Sequence, residues 1–513
     1  MTDALVGVDI GTTLTKGVLV AVDGTVLAQA GREATLHSPH PNWAEEDAEQ
    51  WWSNTVEILR ELMAKAGGRE ILAVGVSGMV PALVLLDDDG RPLRRSIQQN
   101  DARTAREIQE AKATFGDERF FALTGGSINQ QVLAPKLRWL ARHEPHILAR
   151  ARRLCGSYDF VTHRLTGELH AEHNWALESG LVDIASGDWS DELLALAGVD
   201  RDVLPPIRAS HDVVGRVSRA AARETGLPEG TAVIAGVADH VASAFTATVA
   251  EPGDLLVKFG GAGDVLYSLD RLVTDPRLFI DHHVVPGAFY LNGCMATSGS
   301  LVKWFVRSFC QPDAAAAEAA GRSVYADLDA AVTDLPPGSD GLVLLPYFLG
   351  EKTPLHDPFA RGTIVGLGLH HDRRHVYRAA LEAVAYGFRH HVDVLEERSL
   401  PVRRVLASDG GAASDVWLQL TADVLGHPVH RVLGHPGSSL GAAFVAGMAV
   451  GAFGSWGDIA RFVEVDAPFE PRVAARAAYD EFFALYRETY DRLADLYPRL
   501  AAARDRAEGG RTT

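Results

Sequence analysis

Asp9, Gly11, Thr12, Thr13 and Lys16 lie close together in the stretch VGVDIGTTLTKGVLV (residues 6–20), between two apolar alternations. Gly11 lets the backbone come near a ligand. Successive backbone N–H groups in such a turn can face an anion, the threonines add hydroxyl donors, and Lys16 adds a positive charge. Asp9 would repel a phosphate unless a divalent cation stood between them, so the group implies Mg2+ beside phosphate oxygens. The same residues also fit a plain turn closed by a salt bridge from Asp9 to Lys16. A second stretch, DLLVKFGGAGDVLYS (254–268), is again strand, glycine-rich turn, strand. Neither is a P-loop or a dinucleotide turn, which run from strand to helix; no GxxxxGK[ST] is present, and no GxGxxG follows a strand.

Such turns need a sheet to hold them. Val6, Val8 and Ile10 alternate, as do Val18, Val20 and Val22, and Asp23-Gly24 makes a hairpin turn leading into Val26-Leu27-Ala28. The first 30 residues therefore predict a β-meander. Trp51, Val56, Leu59, Leu62 and Met63 share one face of a helix predicted over 45–66. Strands are expected at 71–76 and 82–86, and helices at 104–113 and 134–143. The apolar run Val233 to Ala238 reads as a strand with Asp239-His240 just past it, followed by a small-residue helix over 241–249. LPYFLGEKTPLHDPFARG (345–362) reads as a long loop, and 375–397 and 474–503 as helices. VLASDGGAASDVWLQLTADVLG (405–426) reads as strand, glycine turn, helix. Interleaved strands and helices make an α/β fold, with a second domain opening near residue 251.

A chain of 513 residues exceeds one ordinary core and predicts two or three domains. With 47% apolar and 23% charged residues, the composition is that of an ordered globular protein. A formal net charge of −18 argues against nucleic acid as a partner. Cys155, Cys294 and Cys310 are far apart and form no CxxC, which argues against a disulfide framework or zinc site and for a reducing cytoplasm. No basic start precedes an apolar run, and no apolar stretch is long enough to cross a bilayer. The expectation is a cytoplasmic protein with no membrane partner.

DIGTTLTKGVLV resembles the first phosphate motif of the superfamily that joins sugar kinases, actin and the heat-shock chaperone ATPases. Other stretches resemble the FGGY carbohydrate kinases, in the family's order from about residue 5 to 450. APKLRWLARHEP (134–145) is similar to their first signature and GVADHVASA (236–244) to the segment with their catalytic aspartate. GEKTPLHDPFARG (350–362) is also similar to a family segment, SDGGAASDVWLQLTADVLGHPV (408–429) to the adenosine-binding segment, and SSLGAAFVAG (438–447) to the second signature. The resemblance implies two actin-like (ribonuclease H-like) domains with an active-site cleft between them. Residues 1–250 would form the N-terminal domain, with the sugar side, the first phosphate loop and the catalytic aspartate. Residues 251–455 would form the C-terminal domain on the ATP side, and 456–513 a helical segment. It implies an enzyme that phosphorylates a sugar hydroxyl with Mg-ATP, most similar to xylulokinases and so acting on a ketopentose such as xylulose. Kinases of another sugar, a polyol or a sugar acid stay open. So does a degenerate sugar- or nucleotide-binding regulator. Dimers are common in the family, so a homodimer is allowed.

By the same resemblance Asp239 is the general base, a role that needs one carboxylate within hydrogen-bond reach of the attacking hydroxyl. Its position also fits a helix N-cap. Gly11, Thr12, Thr13, Lys16, Gly260 and Gly261 would hold the ATP phosphates, and Gly410, Gly411 and Ala412 the adenosine. Asp9 and Asp239 would hold the metal. Asp101 in QQNDAR matches an aspartate that binds sugar hydroxyls, with Asn100 beside it. Met79 and Val80 in SGMVPA, together with Asp239 and His240, complete the sugar set. Trp43 reads either as a wall of that pocket or as a core tryptophan. Three positions depart from the family. Gly261 replaces a threonine or serine, Asp409 replaces the first glycine of the adenosine turn, and Val80-Pro81 replaces a methionine-histidine pair.

Two other signals are weaker. The pairs His282-His283, His370-His371 and His390-His391 are adjacent residues, expected to point to different faces, and none forms HExxH. Gly437-Ser438-Ser439-Leu440-Gly441 fits the GxSxG elbow of hydrolases, but that fold places its histidine after the serine and none follows His435.

Overall fold

The alternation of Val6, Val8 and Ile10 becomes a strand over Ala4–Ile10, buried along its whole length. In this computed structural model, which describes residues 2–434 and 437–509, that strand is central to the first of two units. It pairs antiparallel with Leu14–Ala21, which pairs antiparallel with Val26–Glu33, so the expected meander is present. On its other side it pairs parallel with Ile71–Gly78. The sheet continues through Ala232–Ile234 to Val213–Arg216, and the short strand Val237–Ala238 also pairs parallel with Ile71–Gly78.

The two units are each built from several stretches. The first is Met1–Ala250, Asp270–Tyr290 and Gly434–Glu464; the second is Glu251–Leu269, Leu291–Leu433 and Val465–Thr513. These units therefore differ from two cuts at about 250 and 455, since residues 270–290 and 434–464 pack with the first unit. The physical reason is the helix Ser438–Ala449. Its residues from Ser438 to Gly447 are all buried, too apolar all round for a surface helix. It lies on the first sheet because Gly7 and Gly75 carry no side chain. A Cβ at Gly7 would collide with the Ser439 carbonyl, and one at Gly75 with that of Ala442.

In the second unit, Asp254–Phe259 and Gly263–Leu269 form the expected hairpin. Its first strand pairs parallel with Arg404–Ser408, which pairs parallel with Val429–Leu433. The helix Arg373–Glu397 is buried over most of its length, and Asp415–Leu425 follows the glycine turn. Residues 346–362 contain no helix or named strand, as the sequence implies. The last predicted helix is two, Val473–Leu493 and Leu496–Gly509.

Candidate active site

Parallel pairing brings the chemistry of the first unit to one edge of its sheet. In the register, Asp9 stands opposite Ser77, while Val237 and Ala238 stand opposite Ser77 and Gly78. Asp9, Ser77 and Asp239 therefore leave neighbouring strands at their carboxyl ends, where open α/β sheets bind ligands. Asp9 is buried at 8% exposure, and Ser77 Oγ donates to its Oδ1 at 2.9 Å. Burial first, and then the negative charge of Asp239, push the Asp9 carboxyl up to about 6, against the opposing effects of Ser438, Ser77 and Lys16. Among the described residues no ion pair joins Asp9 to Lys16, so the salt-bridged turn is not what this stretch forms.

Asp239 lies in the first turn of the helix Asp239–Thr246, two residues earlier than the sequence indicated. Ala238 is the N-cap, so the capping role does not occupy the carboxylate. The backbone N–H of His240 donates to Asp239 Oδ1 at 2.6 Å. The helix is held from behind by the Gly437–Gly441 segment: Thr246 Oγ1 donates to the Gly437 carbonyl at 3.2 Å, and a Cβ at Gly441 would stand 2.5 Å from the Ala242 carbonyl. The GxSxG spacing thus serves helix packing, with Ser438 turned to the Asp9 carboxylate.

The remaining predicted residues of this unit divide. Thr12 Oγ1 reaches Met79 Sδ at 3.5 Å, which joins the first turn to the SGMVPA segment. A Cβ at Gly11 would stand 2.8 Å from the Leu14 carbonyl, so this glycine is already required by the turn itself. Thr13, Lys16 and Asn100 are exposed, whereas Met79 and Val80 are buried. Asp101 is fully buried, and it accepts from the backbone N–H of Ala44 at 2.6 Å and of Arg103 at 3.0 Å. It also accepts from Arg103 Nε and Nη2 at 2.8 and 2.7 Å. Its oxygens are engaged by the protein and hold Arg103 in place. Arg103 in turn pairs with Glu45 at 2.7 Å and lies 3.7 Å over the ring of Trp43. Trp43 also packs edge-on against Trp139 of the first signature, 5.2 Å between centroids. Beside them Lys136 is fully buried, and burial brings its ammonium down to about 7.

In the second unit, parallel pairing again places two loops side by side. Lys258 stands opposite Ser408, and Lys258 Nζ lies 3.5 Å from Asp264 and 3.9 Å from Asp409. Gly260 and Gly261 do not turn their carbonyls outward. Gly260 accepts from Gly299 N at 2.7 Å, and Gly261 accepts from Ser298 N at 2.9 Å and Ser300 Oγ at 2.7 Å. The Thr297–Ser300 segment, which sequence reasoning missed, therefore knits this loop to the start of the helix Gly299–Phe309. Gly410 opens onto free space, while a Cβ at Gly411 would stand 2.7 Å from both Phe259 and the Trp417 ring. Ala412 is buried.

Two groups of described residues bring metal-ligating atoms together. His370 and His371 with Asp340 form a surface group, so this pair does share a face, contrary to expectation. The other is Glu178, His240 and Asp281, beside Asp239 in the first unit. Burial and the Asp281 charge push the Glu178 carboxyl well above its ordinary value. Burial opposes a charge on His240, yet the surrounding carboxylates raise its imidazole well above its ordinary value.

Comparison with known proteins places this arrangement. The model of the FGGY family of carbohydrate kinases, N-terminal domain, matches residues 4–246, and that of the C-terminal domain matches 273–450. A xylulose kinase of Bacillus subtilis (strain 168) is 30% identical over 505 residues, covering 98% of this chain and 99% of its own. The crystal structure of xylulose kinase from Rhodospirillum rubrum superposes with a TM-score of 0.92 at 45% identity, over 96% of this chain and 99% of that one. A gluconokinase of Bacillus subtilis (strain 168) is 27% identical over 463 residues, 89% of each chain. The family resemblance and the two-domain α/β fold implied by it are both borne out.

Proposed function

Because this chain belongs to the FGGY family of carbohydrate kinases, we propose that it transfers the γ-phosphoryl group of Mg-ATP to a hydroxyl of a ketopentose, xylulose before others. The observation that carries this reading is the pair Asp9 and Asp239 at the carboxyl ends of the two strands that flank Ile71–Gly78. Asp239 takes the proton of the attacking hydroxyl. Asp9, whose carboxyl sits at about 6 with a second carboxylate acting on it, has the charge to hold a divalent cation. When bound, Mg2+ neutralises the phosphate oxygens. Thr12, Thr13 and Lys16 meet the phosphates from residues 1–250, with Lys258, Gly260 and Gly261 serving from 251–455. Gly410 faces the base, and Gly411 and Ala412 shape the turn behind it. On the sugar side His240 contacts a hydroxyl, and Asp101 acts through Arg103 and Trp43.

Xylulose is favoured by the relatives of that name, which match nearly end to end. The gluconokinase match keeps a sugar acid as the second reading. Among the described residues no helix is long and apolar enough to cross a membrane, and the reading places the enzyme in the cytoplasm with its ATP. A homodimer is compatible with it. ADP release in a coupled assay, with xylulose, ribulose, xylitol and gluconate as acceptors, tests the proposal. Turnover on xylulose that is lost in Asp239→Asn supports it. Faster turnover on gluconate selects the second reading. Sugar binding without turnover on any acceptor overturns both in favour of a regulator.

A further inference from the structure

Gln99 and Gln131 carry polar atoms that no assigned role uses. Gln131 Nε2 donates to Gln99 Oε1 at 3.0 Å, and both residues are half-buried. A glutamine amide offers an NH2 donor and a carbonyl acceptor. Among the described residues neither Gln99 Nε2 nor Gln131 Oε1 has a protein partner. The pair therefore presents a donor and an acceptor on adjoining amides, at a place a ligand can reach.

The place lies on the sugar side of the first unit. Gln99 follows Ile97 and Gln98. Ile97 exchanges backbone hydrogen bonds of 2.9 and 3.1 Å with Leu83, which comes soon after Met79 and Val80 in the chain, and the Gln98 N–H donates to the Ala44 carbonyl at 3.0 Å. Gln131 precedes the helix Leu133–His143, whose Leu133 N–H donates to the Ser179 carbonyl at 2.8 Å. Ser179 adjoins Glu178, and Glu178 Oε1 is 3.7 Å from His240 Nε2. The amide pair thus joins the segment of Met79 and Val80 to that of Asp239 and His240. The backbone of Gln131 is fixed at both of its polar groups. Its N–H donates to Asn129 Oδ1 at 2.7 Å, and its carbonyl accepts from Lys136 Nζ at 3.0 Å. Lys136 is fully buried, and burying an ammonium to hold one carbonyl is costly. What it secures is a loop set before any ligand arrives.

The nearby cations are withdrawn. Arg103 has no exposed side-chain surface and is paired with Asp101 and Glu45, and Lys136 is turned to the Gln131 carbonyl. A carboxylate at this place would accept from Gln99 Nε2 but has no proton for Gln131 Oε1. A hydroxyl accepts from the first and donates to the second. Resting on the kinase reading for the place of the sugar, we propose that Gln99 and Gln131 bind the terminal hydroxyl of the acceptor farthest from the one phosphorylated. They thereby select neutral ketoses and polyols over sugar acids. Both are specificity-determining residues, remote from the transferred phosphoryl group.

Calorimetric titration of the full-length protein without nucleotide tests this apart from turnover. The probes are xylulose, xylitol, 1-deoxyxylulose, 5-deoxyxylulose and gluconate. In the wild type xylulose or xylitol should bind more tightly than gluconate, and the deoxy sugar that lacks the far hydroxyl should bind roughly tenfold more weakly than xylulose. That gap should close in both Gln99→Met and Gln131→Met, which keep the shape of the side chain and lose its amide, while the affinity for ATP stays unchanged. Gluconate as the tightest wild-type ligand overturns the proposal without any variant, and so does failure of every neutral probe to bind. Deoxy gaps as wide in both variants as in the wild type overturn it equally. Amide-dependent binding with no ADP release in the coupled assay would uphold the amide pair and remove the kinase reading.

Discussion

Replacing Asp9 with asparagine should make the unliganded protein more stable while ending turnover. The wild-type carboxyl is raised from 3.8 to about 6, by burial first and then by Asp239. The folded state therefore holds this proton more tightly than the unfolded chain. Between about pH 3.8 and 6 the folded state binds more protons, so this group's contribution to stability falls as pH rises, and above 6 the whole cost remains. That cost is about 3 kcal/mol. Asparagine is nearly isosteric, is neutral at every pH, and keeps an oxygen for the Ser77 hydroxyl. Thermal melting of wild type and Asp9→Asn at pH 4.5 and 7.5 reads the difference. The variant should melt higher at 7.5, by a gap wider than at 4.5, because every other titrating group cancels between the two proteins. Millimolar Mg2+ should raise the wild-type midpoint at pH 7.5 and leave the variant unmoved, since a ligand stabilises only the state that binds it. An equal gap at both pH values, or a less stable variant at 7.5, would refute the charge argument.

Asp239→Asn should lower kcat by about 10²–10⁴-fold with ATP affinity retained, as read by coupled ADP release and nucleotide titration. Asp101→Asn should destabilise the protein by about 3–5 kcal/mol, because Arg103 is left in a buried place without its bidentate partner; melting checks this, and KM for ATP should not move. Gly410→Ala should leave the melting temperature unchanged and raise KM for ATP, since the new methyl meets open space at the turn. Gly411→Ala should cost about 1–3 kcal/mol of stability instead, because its methyl meets Phe259 and Trp417.

The parts of this molecule that were legible in the sequence are those set by neighbours along the chain. The alternation of Val6, Val8 and Ile10 and the turn at Asp23-Gly24 specify a meander without help from elsewhere. The site motifs were legible as local clusters. What joins them was not. Nothing within residues 4–10 announces that residues 71–78 will lie parallel beside them, and that pairing is what brings Ser77 to Asp9. The saturation of Asp101 was not legible either, because it depends on Ala44 and on Arg103, which stacks over Trp43. The glycines at 7 and 75 carried a signal, two small residues on neighbouring strands, but only packing shows that they answer the same helix, on which Gly441 in turn leaves room for the Ala242 carbonyl. Glu178 and Asp281 are separated by about a hundred residues of chain and belong to no motif, so only the fold could bring them to His240.

Register, more than any single hydrogen bond, sets the acid pair. Ile10 and Ala238 both stand opposite Gly78 on the strand between them. Asp9 is one residue before that rung and Asp239 one residue after it. A slip of one residue would turn the whole side-chain set of a strand to the other face. It would carry Asp9 away from Ser77 and bury the wrong residues against the helix Ser438–Ala449. Gly7 and Gly75 forbid it, because only these residues leave room for the carbonyls of Ser439 and Ala442 at their present places. The packing of one apolar helix thus locks the register, and the locked register holds two carboxylates near enough for Asp239 to add to the rise that burial imposes on Asp9. A cation placed between the two carboxylates would relieve this buried repulsion.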